Sequence, residues 1–301
     1  MNFPVAGVEI PALYLVMVGF FVGILAGFYG VGGGSKTGPL MLFLGVPPNF
    51  VIGTDLPHMV GKSIVAFKRH RSFGHVDWKL AVLMILPTVV GIEIGAQVVE
   101  ILKAAGSLDL VLSISYIVIL SAMSVFVFWE SRKAGKLARE EEIDAKDVVA
   151  FQAVSKRVKT LRWPPMISLK TSGIKEISIW IIILATFATG LITGFLGVGG
   201  GFIRMPVLVY VLGIPTHVAV GTDLFEIIIS ASYGTVTHSL KGNVDYLIAL
   251  VMHTGAAIGA QIGATLTKYV SGQRIRQIFG LFLPLGAILV AYRLLTGGVA
   301  F

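Results

Sequence analysis

The sequence predicts an all-α polytopic membrane protein built from two homologous modules, on three observations. Of 301 residues, 55% are hydrophobic and only 13% are charged, against about 25% charged in an ordinary soluble domain. Five apolar runs, Ala12–Tyr29, Trp78–Ile101, Leu108–Trp129, Ile177–Leu196 and Tyr246–Val270, are each long enough to cross a hydrocarbon core about 30 Å thick as a helix. They lack the alternation that marks a membrane-spanning strand. Finally, one series of short motifs occurs twice in the same order.

That series begins with Gly27-Phe28-Tyr29-Gly30-Val31-Gly32-Gly33-Gly34 and its copy Gly194-Phe195-Leu196-Gly197-Val198-Gly199-Gly200-Gly201. Pro39 and Pro206 follow, then Leu44-Gly45-Val46-Pro47 with Leu212-Gly213-Ile214-Pro215. Gly53-Thr54-Asp55-Leu56 recurs as Gly221-Thr222-Asp223-Leu224, and Gly74-His75-Val76-Asp77 as Gly242-Asn243-Val244-Asp245. The last block is Ile94-Gly95-Ala96-Gln97 with Ile258-Gly259-Ala260-Gln261. A tandem duplication explains the shared order.

The elements follow in turn. In the first module, residues 1–129, the span Ala12–Tyr29 stops at the Gly-rich break. With no basic stretch before it and more apolar runs after it, it reads as a span rather than a signal peptide. The second element starts at about Thr37 and has roughly ten to twelve residues, or 15–18 Å of helix, so it reads as a half-helix or re-entrant segment. The third carries the Thr-Asp motif, and two long spans complete the module. Residues 130–176 form a polar linker with 11 of the 24 Lys and Arg residues. The second module, residues 177–301, repeats the elements, its short helix starting at about Phe202. Each module thus holds four or five helical elements, for eight to ten crossings in all.

The charges give an orientation. No Lys or Arg precedes Lys36 and none follows Arg293, so the positive-inside rule puts both tails outside and the central loop in the cytoplasm. Lys68, Arg69, Arg71, Lys268, Arg274 and Arg276 fall on the inner side only if each module has an odd number of elements. The modules are then inverted repeats.

Glycine weakens a helix by about 1 kcal/mol per residue relative to alanine, so the triple glycines break it. In lipid such a break persists where protein or a water-filled cavity satisfies the freed backbone, and transporters place substrates at discontinuous helices. The following helix begins with free N–H groups and a positive dipole end, suited to an anion. Gly32, Gly33, Gly34, Ser35 and Lys36 in one copy, and Gly199, Gly200, Gly201 and Arg204 in the other, are therefore candidate substrate-binding residues. Upstream, Gly19, Gly23, Gly27, Gly190 and Gly194 read as seams of close helix packing.

The third elements are unusually polar. Asp55, His58 and Lys62 are spaced to share one helical face, and Asp223, Glu226 and Ser230 match them in the second copy. A charge at mid-bilayer costs roughly 2.5–3.5 kcal/mol on insertion scales, so these groups face the interior. They serve either as a static interhelical lock or as a site. In the second reading His58 and Lys62 meet the anion, Thr54 and Thr222 donate hydrogen bonds, and Asp55, Asp223 and Glu226 carry the coupling proton. Glu93, Gln97 and Gln261 read equally as cavity lining or as interhelical hydrogen bonds. His70, His75 and His238 read as solvated boundary residues, and His217 as a cap or packing residue beside Pro215.

On the paired breaks, the following Pro, the Leu-Gly-x-Pro corner, the Gly-Thr-x-Leu motif and Gly-x-Val-Asp, the sequence resembles the TauE/SafE sulfite exporter family, also called the toluenesulfonate uptake permease family. The resemblance covers both modules and leaves out the central loop. It implies secondary transport, as an exporter, of a small sulfur-containing anion such as sulfite, sulfoacetate or a sulfonate across the prokaryotic inner membrane. The sequence departs from it in having Asp55 and Asp223 where Ser commonly follows Gly-Thr.

Other classes fit less well. The net charge of +8 is concentrated in the central loop, which argues for membrane orientation rather than nucleic acid. Cys is absent, which removes thiol catalysis and thiolate metal sites, and no cofactor or metal is expected. Gly61-Lys62-Ser63 lacks the upstream Gly of a P-loop, and neither H-E-x-x-H nor G-x-S-x-G occurs. An anion channel would share the basic site but needs no carboxylate. The expected partners are a small anion, protons and the lipid bilayer.

Overall fold

Lipid offers no hydrogen-bond partners, so an apolar run must satisfy its own backbone, and an α-helix does this within one segment. The structure, a computed structural model, describes residues 1–30, 34–140, 155, 157–158, 160–197 and 201–296. The first module contains α1 (Ala12–Tyr29), α2 (Gly34–Phe43), α3 (Pro48–Ser72), α4 (Trp78–Ala104) and α5 (Leu108–Glu140). The second contains α6 (Ile179–Leu196), α7 (Gly201–Pro206), α8 (Thr216–Leu240), α9 (Tyr246–Thr267) and α10 (Gly272–Thr296). Among the described residues, six helices are long and apolar enough to cross a membrane: α1, α4, α5 as far as Glu130, α6, α9 and α10. The motif-bearing α3 and α8 have 25 residues each, about 37 Å at 1.5 Å per residue.

The second elements are short, as expected, and they differ. In the first module α2 runs for 10 residues. In the second, α7 passes into a π-helical turn at Val207–Val211, closed by Leu212 N–H donating to the Val207 carbonyl at 3.1 Å. The repeat offset rises from 167 at Pro39/Pro206 to 168 at Leu44/Leu212. A single inserted residue is what a π turn absorbs.

Close packing comes from the upstream glycines. A side chain at Gly19, Gly23 or Gly27 of α1 would overlap the backbone of Met252, Ala256 or Ala260 of α9. The order of these contacts means that α1 and α9 run parallel. Gly91 and Gly95 of α4 meet α6 in the same way, with Gly190 and Gly194 against Thr88 and Ile92. Equivalent helices, by contrast, pair antiparallel. In α5 and α10, Arg293 bonds Asp109 at 2.7 Å at one end, and Ser124 donates to the Gly280 carbonyl at 3.1 Å nearer the other. In α3 and α8, Leu56 lies beside Gly234 and Phe67 beside Phe225.

Two hairpins lie outside the helices: β1 (Asn2–Phe3) with β2 (Val8–Glu9), and β3 (Met166–Leu169) with β4 (Ile174–Ser178). Each ties its own module to the other. Asp77 caps α4 by accepting from Leu80 N–H at 3.2 Å, and its second oxygen accepts from Ser172 N–H at 3.1 Å and Ser172 Oγ at 2.7 Å. Asp245 caps α9 through Leu247 and Ile248, and accepts from Ala6 N–H at 3.1 Å. The expected linker 130–176 therefore begins inside α5 and ends inside the second hairpin.

Candidate functional site

Two buried polar clusters occupy equivalent places, each where a half-helix starts beside a motif-bearing helix. In the first, Lys62 Nζ lies 3.0 Å from His58 Nδ1, 3.4 Å from Asp55 Oδ1 and 3.5 Å from Thr37 Oγ1. His58 Nδ1 is also 3.2 Å from Asp55 Oδ1. One ring nitrogen cannot serve both neighbours: protonated it donates to Asp55, and unprotonated it accepts from Lys62. Asp55 Oδ2 and His58 Nε2 are buried with no hydrogen-bond partner among the described residues. The His253 ring of α9 covers the backbone at Gly61, one residue from Lys62.

In the second cluster Arg204 of α7 forms ion pairs with both Asp223 and Glu226 of α8. Its Nη1 is 3.5 Å from Thr88 Oγ1 of α4, and Ser230 Oγ donates to Glu226 Oε2 at 3.3 Å. A planar guanidinium can span two carboxylates, which a lysine ammonium does less well. Asp223 Oδ2 and Glu226 Oε1 have no hydrogen-bond partner among the described residues. The clusters are related by exchange. Thr37 corresponds to Arg204, and Lys62 to Ser230, so the cation comes from the long helix in one module and from the half-helix in the other.

The remaining expected site residues fall in several places. Gly34 and Gly201 open the half-helices, whereas Gly32, Gly33, Gly199 and Gly200 lie outside the described residues. Lys36 is buried, donates to Ser35 Oγ at 2.9 Å, and holds its ammonium 5.7 and 5.1 Å from the Tyr29 and Phe279 ring centres. Thr54 and Thr222 have an interlocking role. Thr54 Oγ1 accepts from Asp245 N–H and Thr222 Oγ1 from Asp77 N–H, both at 2.9 Å. Each hydroxyl therefore anchors the loop that leads into the other module's fourth helix.

Two histidines differ from expectation. His70 and His238 are fully buried rather than solvated, with Nε2 3.1 Å from the Gly27 carbonyl and 3.2 Å from the Gly194 carbonyl. The last carbonyls of a helix lack intrahelical partners, and these imidazoles meet them just before each break. His217 caps as expected, its Nε2 reaching the Thr267 and Val270 carbonyls at 3.3 and 3.2 Å. Arg276, grouped from sequence with the cations of the inner side, is buried and lies against Thr216 and Glu130. Glu93 accepts from Tyr233 and Thr237 of α8 and from Lys241 just after it, an interhelical role; Gln261 is exposed.

Sequence reasoning missed Thr88 and His253. Nothing set Thr88 apart from other span hydroxyls. His253 was detectable as an ionisable group inside an apolar run.

The chain matches the family "Sulfite exporter TauE/SafE" over residues 15–290. It is 25% identical over 297 residues to "Probable membrane transporter protein YunE" of Bacillus subtilis, covering 95% of this chain and 97% of that one. It is 26% identical over 281 residues to a "Probable membrane transporter protein" of Xylella fastidiosa strain 9a5c, covering 92% of each. No solved structure matches the chain.

Proposed function

The chain belongs to the sulfite exporter TauE/SafE family, and we propose that it is a proton-coupled secondary transporter that exports a small sulfur-containing anion such as sulfite, sulfoacetate or a sulfonate. The observation that carries this reading is the pair of buried clusters at the half-helix starts. Each contains a cation, an acid and buried polar atoms without partners among the described residues. Unsatisfied polar groups in a nonpolar interior are costly and call for an explanation; a proton on Asp55 Oδ2, Asp223 Oδ2 or Glu226 Oε1, and an anion accepting from His58 Nε2, would supply one.

In the first cluster an incoming anion competes with Asp55 for Lys62 and His58. The imidazole can then turn its proton from the acid toward the anion. In the second, Asp223 and Glu226 share one Arg204, so a proton on either acid leaves the other fully paired. The acids thus form the proton site, and the Lys62–His58 pair, with the amides that open α2, forms the anion site.

The antiparallel pairing of α3 with α8 and α5 with α10 favours inverted modules of five elements each. With the basic central loop in the cytoplasm of a prokaryotic cell, both tails would lie outside. Such symmetry gives two exchangeable arrangements around one central site, the geometry of alternating access.

The test is flux of sulfite, sulfoacetate and short sulfonates into proteoliposomes. At least one of these is expected to saturate. Glu226→Gln should abolish the response to a pH gradient, and Lys62→Met should raise the apparent substrate constant several-fold. Coupling to pH that survives Glu226→Gln, or affinity that is unchanged by Lys62→Met, would reassign those residues to a structural lock.

A further inference from the structure

The repeat correspondence pairs Asn49 with His217 and His75 with Asn243. At one end of the molecule, Asn49 Nδ2 donates to Asn243 Oδ1 at 3.2 Å, and Lys103 Nζ donates to the same oxygen at 2.9 Å. Asn243 Nδ2 donates to Glu100 Oε1 at 2.6 Å, and Glu100 lies 3.8 Å from Lys103. The amide there is satisfied and the charges are matched.

At the other end the same two positions hold imidazoles. The His75 and His217 rings are 5.2 Å apart, and with Phe73 and Lys268 they line a cavity of about 510 Å³. The Lys268 ammonium and the Arg69 guanidinium each sit 5.8 Å from the Phe73 ring centre. Arg71 lies over Trp78 nearby. The acid nearest in sequence is Asp77, whose oxygens are taken by Leu80 and Ser172. No carboxylate lines this cavity among the described residues.

We propose that this cavity is a proton-dependent binding site for a small oxyanion, present at one end of the molecule only. Lys268 supplies a fixed positive charge, and each imidazole adds a second N–H and a charge when protonated. His217 already directs Nε2 at the Thr267 and Val270 carbonyls, which leaves Nδ1 for the anion. His75 Nδ1 lies 3.4 Å from His70 Nδ1, which leaves Nε2.

The sign of the pH effect follows. Burial first, and then the neighbouring His217, hold His75 down to about 4. It is therefore neutral near pH 7. A bound anion favours the imidazolium, raises that value, and draws in a proton as it binds. Affinity must rise as pH falls. The contact from His75 through His70 to the Gly27 carbonyl links this event to the end of α1, beside the break. The asparagine end has no titratable group at the two corresponding positions and is indifferent to pH there. This site goes beyond the transport reading and stands on its own geometry.

The test uses full-length protein in lipid nanodiscs with ring-labelled histidine, followed by NMR. The chain has only 6 histidines, so the rings are separable. Inorganic sulfate is the probe, because it stays doubly charged across the range and any pH effect belongs to the protein. Sulfate should shift the His75 and His217 resonances saturably at about pH 5.5, with affinity at least about tenfold weaker at about pH 8. The double variant His75→Asn/His217→Asn, which copies the other end, should lose the pH dependence, and Lys268→Met should weaken binding at both values. Unmoved rings at both pH values, pH-independent affinity, or pH-dependent binding retained by the double variant would each overturn the proposal. Should that variant fail to fold, the wild-type pH series decides alone.

Discussion

Arg204 faces two acids, and that ratio makes it the most informative single residue. Removing one member of a buried charge group costs about 3–5 kcal/mol, largely because its partners are left charged and unpaired. Arg204→Leu is therefore expected to destabilise the protein by that order in detergent unfolding. Adding Asp223→Asn and Glu226→Gln should recover most of the loss, since the stranded charges are gone. A triple variant no more stable than Arg204→Leu alone would mean that packing of the arginine stem, not its charge, is what matters. The polar residues were visible in the sequence because charges inside apolar runs are rare, and their grouping followed from helical spacing. Their partners were less visible. Thr54 and Thr222 each bond a backbone N–H in the other module, Asp245 and Asp77, a contact between distant segments that no local pattern encodes. The burial of His70 and His238 was hidden for a related reason. Both sit near helix ends, where exposure is the ordinary expectation, but the carbonyls they meet belong to α1 and α6.

At the scale of the element, the Gly-x-Val-Asp motif acts as a joint. Asp77 caps α4 with one oxygen and holds the second hairpin with the other. Loss of a cap costs about 0.5–2 kcal/mol, and an orphaned buried donor about 1–3 kcal/mol. Asp77→Ala should therefore cost about 2–4 kcal/mol in thermal or chemical unfolding, as should Asp245→Ala through Ala6. Stability unchanged in either variant would contradict the interlocking role. The helices themselves were legible from apolar length and glycine punctuation. Even the π turn at Val207–Val211 was foreshadowed by the single-residue change in repeat offset, although sequence alone did not assign the extra residue to a helix. The hairpins were not foreseen. Strands of two to five residues beside long apolar runs carry too little periodicity to register, and β3–β4 lay largely within a segment that composition marked as polar linker.

Across the whole molecule, the parallel pairs α1–α9 and α4–α6 and the antiparallel pairs α3–α8 and α5–α10 alternate as an inverted duplication requires. Sidedness tests this directly, since the chain has no Cys and single cysteines report without background. Lys68→Cys and Lys268→Cys should react with an impermeant thiol reagent from the cytoplasmic face. Lys103→Cys and Lys241→Cys should react from the opposite face. Labelling of Lys68→Cys and Lys241→Cys, which sit at equivalent ends of α3 and α8, from the same side would rule out inversion. The central claim is that proton movement drives anion movement through the two clusters, and a sulfonate tests it best because it stays ionised throughout the working range. Proteoliposomes would be loaded with equal sulfonate on both sides and given a pH step alone. With one proton exchanged for each anion, as export driven by an inward proton gradient requires, the sulfonate should concentrate in the acidic compartment by about tenfold per pH unit at zero membrane potential, and a protonophore should collapse the gradient. Sulfonate that stays evenly distributed while exchanging freely would contradict the account and leave an uncoupled anion pathway.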